Sequence, residues 1–109
     1  MTSNVIAYPK QRNLPMYPNL TFRHEHGVNL EVGQQLAVSA SAQLVILDQL
    51  GRKVLDTFEG TRQSTSFTWE IPYAKIEDIP HGARYRIYID NGTEPTRFIP
   101  QSGVMVWVT

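Results

Sequence analysis

Hydrophobic and polar residues alternate with a period of two along most of the chain after Leu20, which is the pattern of β-strands that bury one face. The clearest segment is residues 83–90, which reads ARYRIYID and places small or hydrophobic side chains on one face and polar or aromatic ones on the other. It is followed by Asn91-Gly92, a dipeptide typical of two-residue β-hairpin turns. We therefore predict a strand here with one buried face, followed by a hairpin.

Other segments predict further strands that are separated by turns. Residues 42–48 read AQLVILD, a nearly continuous hydrophobic run typical of a strand buried on both faces. A turn at 49–52 and a return strand at 53–58 complete a hairpin. Residues 73–78 have the propensity for one helical turn. Further strands are predicted at 20–25, 67–71, 96–99 and 104–108. About seven short antiparallel strands predict an all-β fold, a β-sandwich over residues 20–109.

Residues 1–19 have a different pattern, which predicts an extended N-terminal arm. Pro9, Pro15 and Pro18 interrupt any helix or central strand, yet hydrophobic side chains are interleaved among the polar ones. Two interpretations remain open: the arm lies over a neighbouring subunit, or it is a chain end that is loose or packed on its own domain. In both cases we expect the body of the protein to fold without it.

Composition favours one folded domain and argues against several functions. The chain has 109 residues, of which 41% are hydrophobic, and its 10 basic and 10 acidic residues give a formal net charge of zero. A free-standing nucleic-acid-binding domain normally carries a basic excess. The lack of cysteine excludes disulfides, thiolate metal sites and cysteine nucleophiles. No segment approaches the ~20 apolar residues of a membrane helix, and the N-terminus does not resemble a signal peptide, so we expect synthesis in a cytoplasm.

Candidate catalytic chemistry is sparse. His24 and His26 share one face of a predicted strand and would supply two corners of a metal site, but the sequence identifies no third ligand. His81 lies in a Pro-His-Gly turn without a nucleophile motif, and the carboxylates form no evident catalytic pair. There is no phosphate-binding glycine motif. We therefore predict a protein without enzymatic activity, cofactor, metal or small-molecule substrate, which acts by binding other proteins.

Two groups of residues are candidates for a protein interface. Arg84, Arg86 and Tyr88 share the outward face of the clearest strand, and arginine and tyrosine are favoured at interfaces. Met105 and Trp107 lie opposite three valines, so they form an exposed apolar patch if the valines face the core, whereas no patch forms if the strand is central and both of its faces are buried. The hydrophobic residues of the arm complete the set of candidates, which is Tyr8, Leu14, Met16, Tyr17, Arg84, Arg86, Tyr88, Met105 and Trp107.

Residues 42–90 also carry a family resemblance. The segments AQLVILDQLGRKVLDTFEG (42–60) and SFTWEIPYAKIEDIPHGARYRIYID (66–90) resemble small β-sandwich virion proteins of actinobacteriophages, the LtfC-like group. The matching features are the strand that ends in Asp48, the strand that carries Trp69, the turn at 79–83 and the arginine- and aromatic-rich strand at 84–90.

The resemblance implies a minor structural protein of a phage particle. The expected partners are the major capsid protein or neighbouring virion subunits, including other copies of the chain, and the expected location is the virion. The preferred role is capsid-associated, as a minor capsid or head decoration protein. One alternative is a structural protein of the head–tail neck or the tail. Another class, suggested by the tyrosines and tryptophans, is a carbohydrate-binding β-sandwich module.

Overall fold

The protein folds into two β-sheets. The computed structural model describes residues 10–28, 38–90 and 97–108. Within these ranges there are nine strands and one short helix, α1 (Tyr73–Ile76). The strands are β1 (Lys10–Gln11), β2 (Leu14–Met16), β3 (Phe22–Gly27), β4 (Ser41–Leu47), β5 (Val54–Glu59), β6 (Thr61–Arg62), β7 (Ser66–Ile71), β8 (Arg84–Asp90) and β9 (Arg97–Trp107).

The predicted β-sandwich is confirmed. One sheet has six strands in the order β1-β9-β8-β4-β5, with β2 also pairing with β9, and the other has three strands in the order β3-β7-β6. The predicted hairpin over residues 42–58 is present as the antiparallel pair β4–β5. Gly51 in its turn has a φ of 72°, which glycine adopts without strain. Asn91-Gly92 lies outside the described residues.

Alternation along the strands decides which side chains enter the core. On β8, Tyr85, Ile87 and Ile89 are buried between more exposed neighbours, as the sequence predicts. They stand opposite alternate residues of the neighbouring strand β4. The second sheet contributes the apolar face of β7, which is Phe67, Trp69 and Ile71. The core therefore lies between the two sheets, and most of it follows from the period-two pattern.

Trp69 links the two sheets directly. Its indole N–H donates a hydrogen bond of 2.9 Å to the carbonyl oxygen of Phe58, which joins β7 of one sheet to β5 of the other. Gly60 lies beside the ring, where a Cβ atom would come within 2.9 Å of the indole. The chain turns between the sheets here, and the Gly60 N–H donates to the Ala42 carbonyl oxygen at 2.9 Å. The indole ring of Trp69 therefore occupies the space that a side chain at position 60 would need.

The described part of the predicted arm belongs to the sandwich. β1 and β2 both pair in parallel with β9, and Leu14 and Met16 are buried in the core. For residues 10–16 the structure thus follows the interpretation of a segment packed on its own domain. The boundary predicted between residues 19 and 20 does not separate an arm from a body, because two strands of the sheet precede it. Deleting residues 1–19 removes part of the core, so the expectation that the body folds without them is no longer supported.

The closest contact between this segment and β9 occurs at Gly103. A Cβ atom there would overlap the backbone of Arg12. The Arg12 N–H donates to the Ser102 carbonyl oxygen at 3.0 Å, and the Tyr85 hydroxyl donates to the Arg12 carbonyl oxygen. Both backbone groups of Arg12 are therefore hydrogen-bonded to the rest of the sheet. Glycine at 103 is what allows the two chains to approach this closely.

β9 is longer than the sequence indicated. Two separate strands were expected at 96–99 and 104–108, because Pro100 and Gly103 lie between them, but residues 97–107 form one continuous strand. Ile87 pairs with Gln101 and Ile89 pairs with Phe98, so β9 has an extra residue at this point. Such a bulge places Pro100 where no ladder hydrogen bond from its nitrogen is needed. The strand therefore continues through the proline.

We predict that Gly103→Ala lowers the free energy of unfolding by about 1–3 kcal/mol or more, because the new methyl group overlaps backbone atoms that cannot move without undocking the segment. Gly27→Ala is the matched control, since a Cβ atom there meets nothing within 4 Å. Urea-induced unfolding followed by circular dichroism measures both. Equal stability of the two variants would contradict the proposed close approach.

We predict that Trp69→Ala lowers the free energy of unfolding by about 3–5 kcal/mol, as expected for a large core side chain. Trp69→Phe keeps most of the ring and removes the hydrogen bond to Phe58, so its smaller loss includes about 0.5–1.5 kcal/mol for that bond. The same unfolding measurement distinguishes them. A Trp69→Ala variant as stable as the wild type would show that this ring does not hold the sheets together.

Candidate interaction surfaces

Arg84, Arg86 and Tyr88 lie on the outward face of the six-stranded sheet, where the sequence placed them. Arg84 and Arg86 are exposed and Tyr88 is half-buried. We call these three residues the arginine face. It occupies the middle of the sheet, because β8 lies between β9 and β4. A role in binding stays a prediction, but the side chains are available for it.

The two guanidinium groups of the arginine face have few partners within the chain. Arg84 Nε donates to the Gln49 carbonyl oxygen at 3.1 Å, and Arg86 Nη1 donates to the Tyr88 hydroxyl at 3.3 Å. Neither group lies within ion-pair distance of a carboxylate among the described residues. The ion pair that these residues do form, Arg23–Glu70, lies on the other sheet. Both keep N–H groups able to form charge-assisted hydrogen bonds with carboxylates outside the chain.

Apolar side chains flank these arginines on the same face. Arg86 lies between Val45 of β4 and Ser102 of β9, and Arg84 lies between Leu47 and Val104. Val45 and Leu47 are buried and Val104 is half-buried, so Val104 is the apolar neighbour that a partner can reach beside the exposed arginines. A partner with carboxylates set among apolar groups would complement this face.

Met105 and Trp107 do not form the apolar patch that one interpretation of the sequence required. Met105 is buried in the core and Trp107 is half-buried, whereas Val108 on the opposite side is exposed. The Trp107 indole N–H donates to the Ile79 carbonyl oxygen at 2.6 Å, and its backbone N–H donates to His81 Nδ1 at 3.0 Å. Met105 and Trp107 therefore serve the fold. The sequence did not decide this, because both faces of the strand are apolar.

Of the four candidates in the predicted arm, one is accessible among the described residues. Leu14 and Met16 are buried against the core, so a partner cannot reach them while β2 stays paired. Tyr17 is 46% exposed and remains a candidate for contact with another molecule. Tyr8 lies outside the described residues.

The residues that carry the family resemblance stabilise turns and core. The carboxylate of Asp48 accepts hydrogen bonds from the backbone N–H groups of Leu50 and Arg52, at 3.1 and 2.8 Å, which fixes the β4–β5 turn. These bonds, the one from Arg52 foremost, lower the pKa of Asp48. Gly82 in the turn before β8 has a φ of 86°, which favours glycine, and its N–H donates to the Met105 carbonyl oxygen at 2.9 Å. These residues therefore define the fold rather than a reactive site.

His24 and His26 share the inward face of β3, as their spacing predicts. Their ring centres are 6.4 Å apart, and the His24 ring stacks on Trp69 at 6.1 Å. No cluster of three or more potential metal ligands occurs in the ranges that the structure describes. Nε2 of His24 is buried and has no hydrogen-bond partner in the part of the chain that the structure describes. The arrangement provides two imidazoles at the edge of the core but does not assemble a metal site from described residues.

Burial lowers the pKa of both imidazoles below their ordinary value of 6.5. Near His24, the charges of His26 and Arg12 lower the pKa further and Glu25 opposes the shift. Near His26, a hydrogen bond with Gln101 opposes the shift and the charge of Lys10 adds to it. The folded protein therefore favours the neutral form of both rings.

Comparison with known proteins gives one family. A family model described as an LtfC-like β-sandwich domain matches residues 8–107. No curated protein matches the chain. The described residues contain no helix with the length and apolar character that crossing a membrane requires.

We predict that the free energy of unfolding falls as the pH decreases below about 6.5. The folded pKa values of His24 and His26 lie below this unfolded value, so the unfolded chain binds more protons in this range and is favoured by acid. Replacing both residues by glutamine should flatten the dependence between pH 7 and the folded pKa values. Urea unfolding at a series of pH values tests this, and an unchanged slope in the double variant would contradict it.

Proposed function

Because the family match extends over nearly the whole chain, the chain belongs to the LtfC-like β-sandwich family, and we propose that it is a non-enzymatic structural protein of a phage particle, associated with the assembled head. The family resemblance supports the phage setting. The single structural observation that supports attachment is the arginine face, with its two guanidinium groups unpaired with any described carboxylate. The virion is then its place of action.

The proposed partner is the shell protein or a neighbouring copy of this chain. The arginine face would meet acidic side chains of that partner, and the half-buried Val104 beside it would pack against apolar groups. A shell repeats its subunits many times. Weak contacts made by many copies, or by two surfaces of one copy, add up to firm attachment when the geometry permits simultaneous binding.

Of the two alternatives, the accessible side chains give less support to one. A carbohydrate-binding module uses exposed aromatic rings, but Trp69 and Tyr85 are buried and Trp107 packs against Tyr73 at 6.0 Å. A neck or tail position uses the same kind of protein surface as a head position. Copy number separates these two, since a shell protein is present in far more copies per particle than a neck protein.

We predict that the double variant Arg84→Gln/Arg86→Gln is incorporated into particles severalfold less than the wild type. The change removes both charges of the arginine face and leaves the inward face of β8 intact. Arg23→Gln is the matched control, because it removes one exposed arginine from the other sheet, where an exposed ion pair contributes little to stability. Copies per purified particle, measured by quantitative mass spectrometry, give the result.

A variant that lacks residues 1–9 belongs in the same experiment, since it keeps β1 and β2. Reduced incorporation of this variant would support contact between those residues and a neighbour. Equal incorporation of the arginine double variant, the control and the wild type would reject the arginine face as the attachment surface. Absence of the wild-type protein from purified particles would reject the virion role itself.

A further inference from the structure

A cleft of about 440 Å³ opens between the two sheets, at the edge where the N-terminal strands dock. One wall is β3, which contributes His24 and His26, and the other is formed by the N-terminal segment and β9, which contribute Lys10, Arg12 and Gln101. This volume suits a small molecule or one polar side chain of another protein. None of these five residues belongs to the arginine face.

Positive and hydrogen-bond-donating groups converge on this cleft. Arg12 is near enough to His24, and Lys10 to His26, for each cation to lower the pKa of its neighbouring imidazole. Among the described lining residues the carboxylate is that of Glu25, which accepts a hydrogen bond of 2.8 Å from the Ser66 hydroxyl. The lining therefore carries two fixed positive charges, two ionisable rings and one acidic group that is already engaged.

The His24 ring provides a second, independent observation. Its Nε2 atom is buried and has no hydrogen-bond partner among the described residues, and an unsatisfied buried polar atom calls for an explanation such as an ion that binds nearby. We propose that the cleft binds an oxyanion, a carboxylate or a phosphate group, held by Lys10, Arg12 and the protonated rings of His24 and His26. Charge-assisted hydrogen bonds from these groups match the acceptor oxygens of such a ligand.

Binding should strengthen as the pH falls, because a bound anion favours the charged form of the rings. The charged groups near the rings among the described residues are Lys10 and Arg12 on the N-terminal side and Glu25 on β3, and the hydroxyl of Tyr85 lies behind them, hydrogen-bonded to the Arg12 carbonyl oxygen and to Gln101. Burial raises the pKa of the Tyr85 hydroxyl, so it stays protonated in this range. The pH response of acetate binding therefore belongs to the two histidines, because acetate stays ionised in this range, whereas inorganic phosphate itself gains a proton.

The test uses the full chain, labelled with ¹⁵N, and follows the histidine ring signals by NMR. Inorganic phosphate and sodium acetate are added separately, near pH 6.5 and at constant ionic strength set with sodium chloride. We expect the signals of His24 and His26 to shift and saturate, while His81, the third histidine, shifts little because it lies in the turn beside Trp107. A preference for acetate identifies a carboxylate site, and a preference for phosphate identifies a phosphate site.

Arg12→Gln and Lys10→Gln should each weaken binding roughly tenfold, by loss of a charged hydrogen-bond donor. Arg12→Gln keeps the backbone hydrogen bonds of residue 12, so it should not undock the segment. Lys53→Gln, next to β5 at the opposite edge of the sheet, is the matched control. Shifts that do not saturate, that sodium chloride reproduces, or that persist unchanged in both cleft variants would overturn the proposal.

Discussion

The structure depends on the close parallel docking of the N-terminal segment against β9. This contact is possible because residue 103 is glycine, and it is fixed because both backbone groups of Arg12 find partners in the sheet. It places Leu14 and Met16 in the core and so completes the hydrophobic layer on that side. It also forms one wall of the cleft that contains His24 and His26. One backbone contact thus determines part of the core, an edge of the sheet and a candidate site.

The two surfaces discussed above differ in what holds them in place. The arginine face is presented by the central part of a sheet, on strands whose register is set by buried residues on their other side. Its geometry should therefore be rigid, which lowers the entropic cost of binding a partner. The cleft, by contrast, lies between sheets, and one wall consists of short strands at an edge. It depends on docking that is more easily lost.

The sequence predicted the parts of the fold that rest on alternation and failed where alternation is uninformative. The faces of β8 and the β4–β5 hairpin follow from their residue patterns, because one face is clearly apolar or a glycine turn is clearly marked. The two strands within residues 10–16 are too short to show alternation, and one of them contains a proline. Their pairing partner, β9, lies far away in the sequence. The orientation of Met105 and Trp107 was undecidable because valines occupy the other face. The cleft could not be predicted either, because one of its walls is the N-terminal segment, whose docking on β9 the sequence did not indicate.

Docking of the N-terminal segment and occupation of the cleft are thermodynamically linked if the cleft binds an anion. Lys10 and Arg12 reach the cleft because β1 and β2 are paired with β9, so the undocked chain lacks the two fixed charges that would hold the ligand. A ligand that binds the docked form and not the undocked form must stabilise the docked form. In an empty cleft the same cations lie beside two imidazoles and disfavour their protonation. An oxyanion would convert this repulsion into attraction, and acid would then tighten the edge of the sandwich that it otherwise weakens.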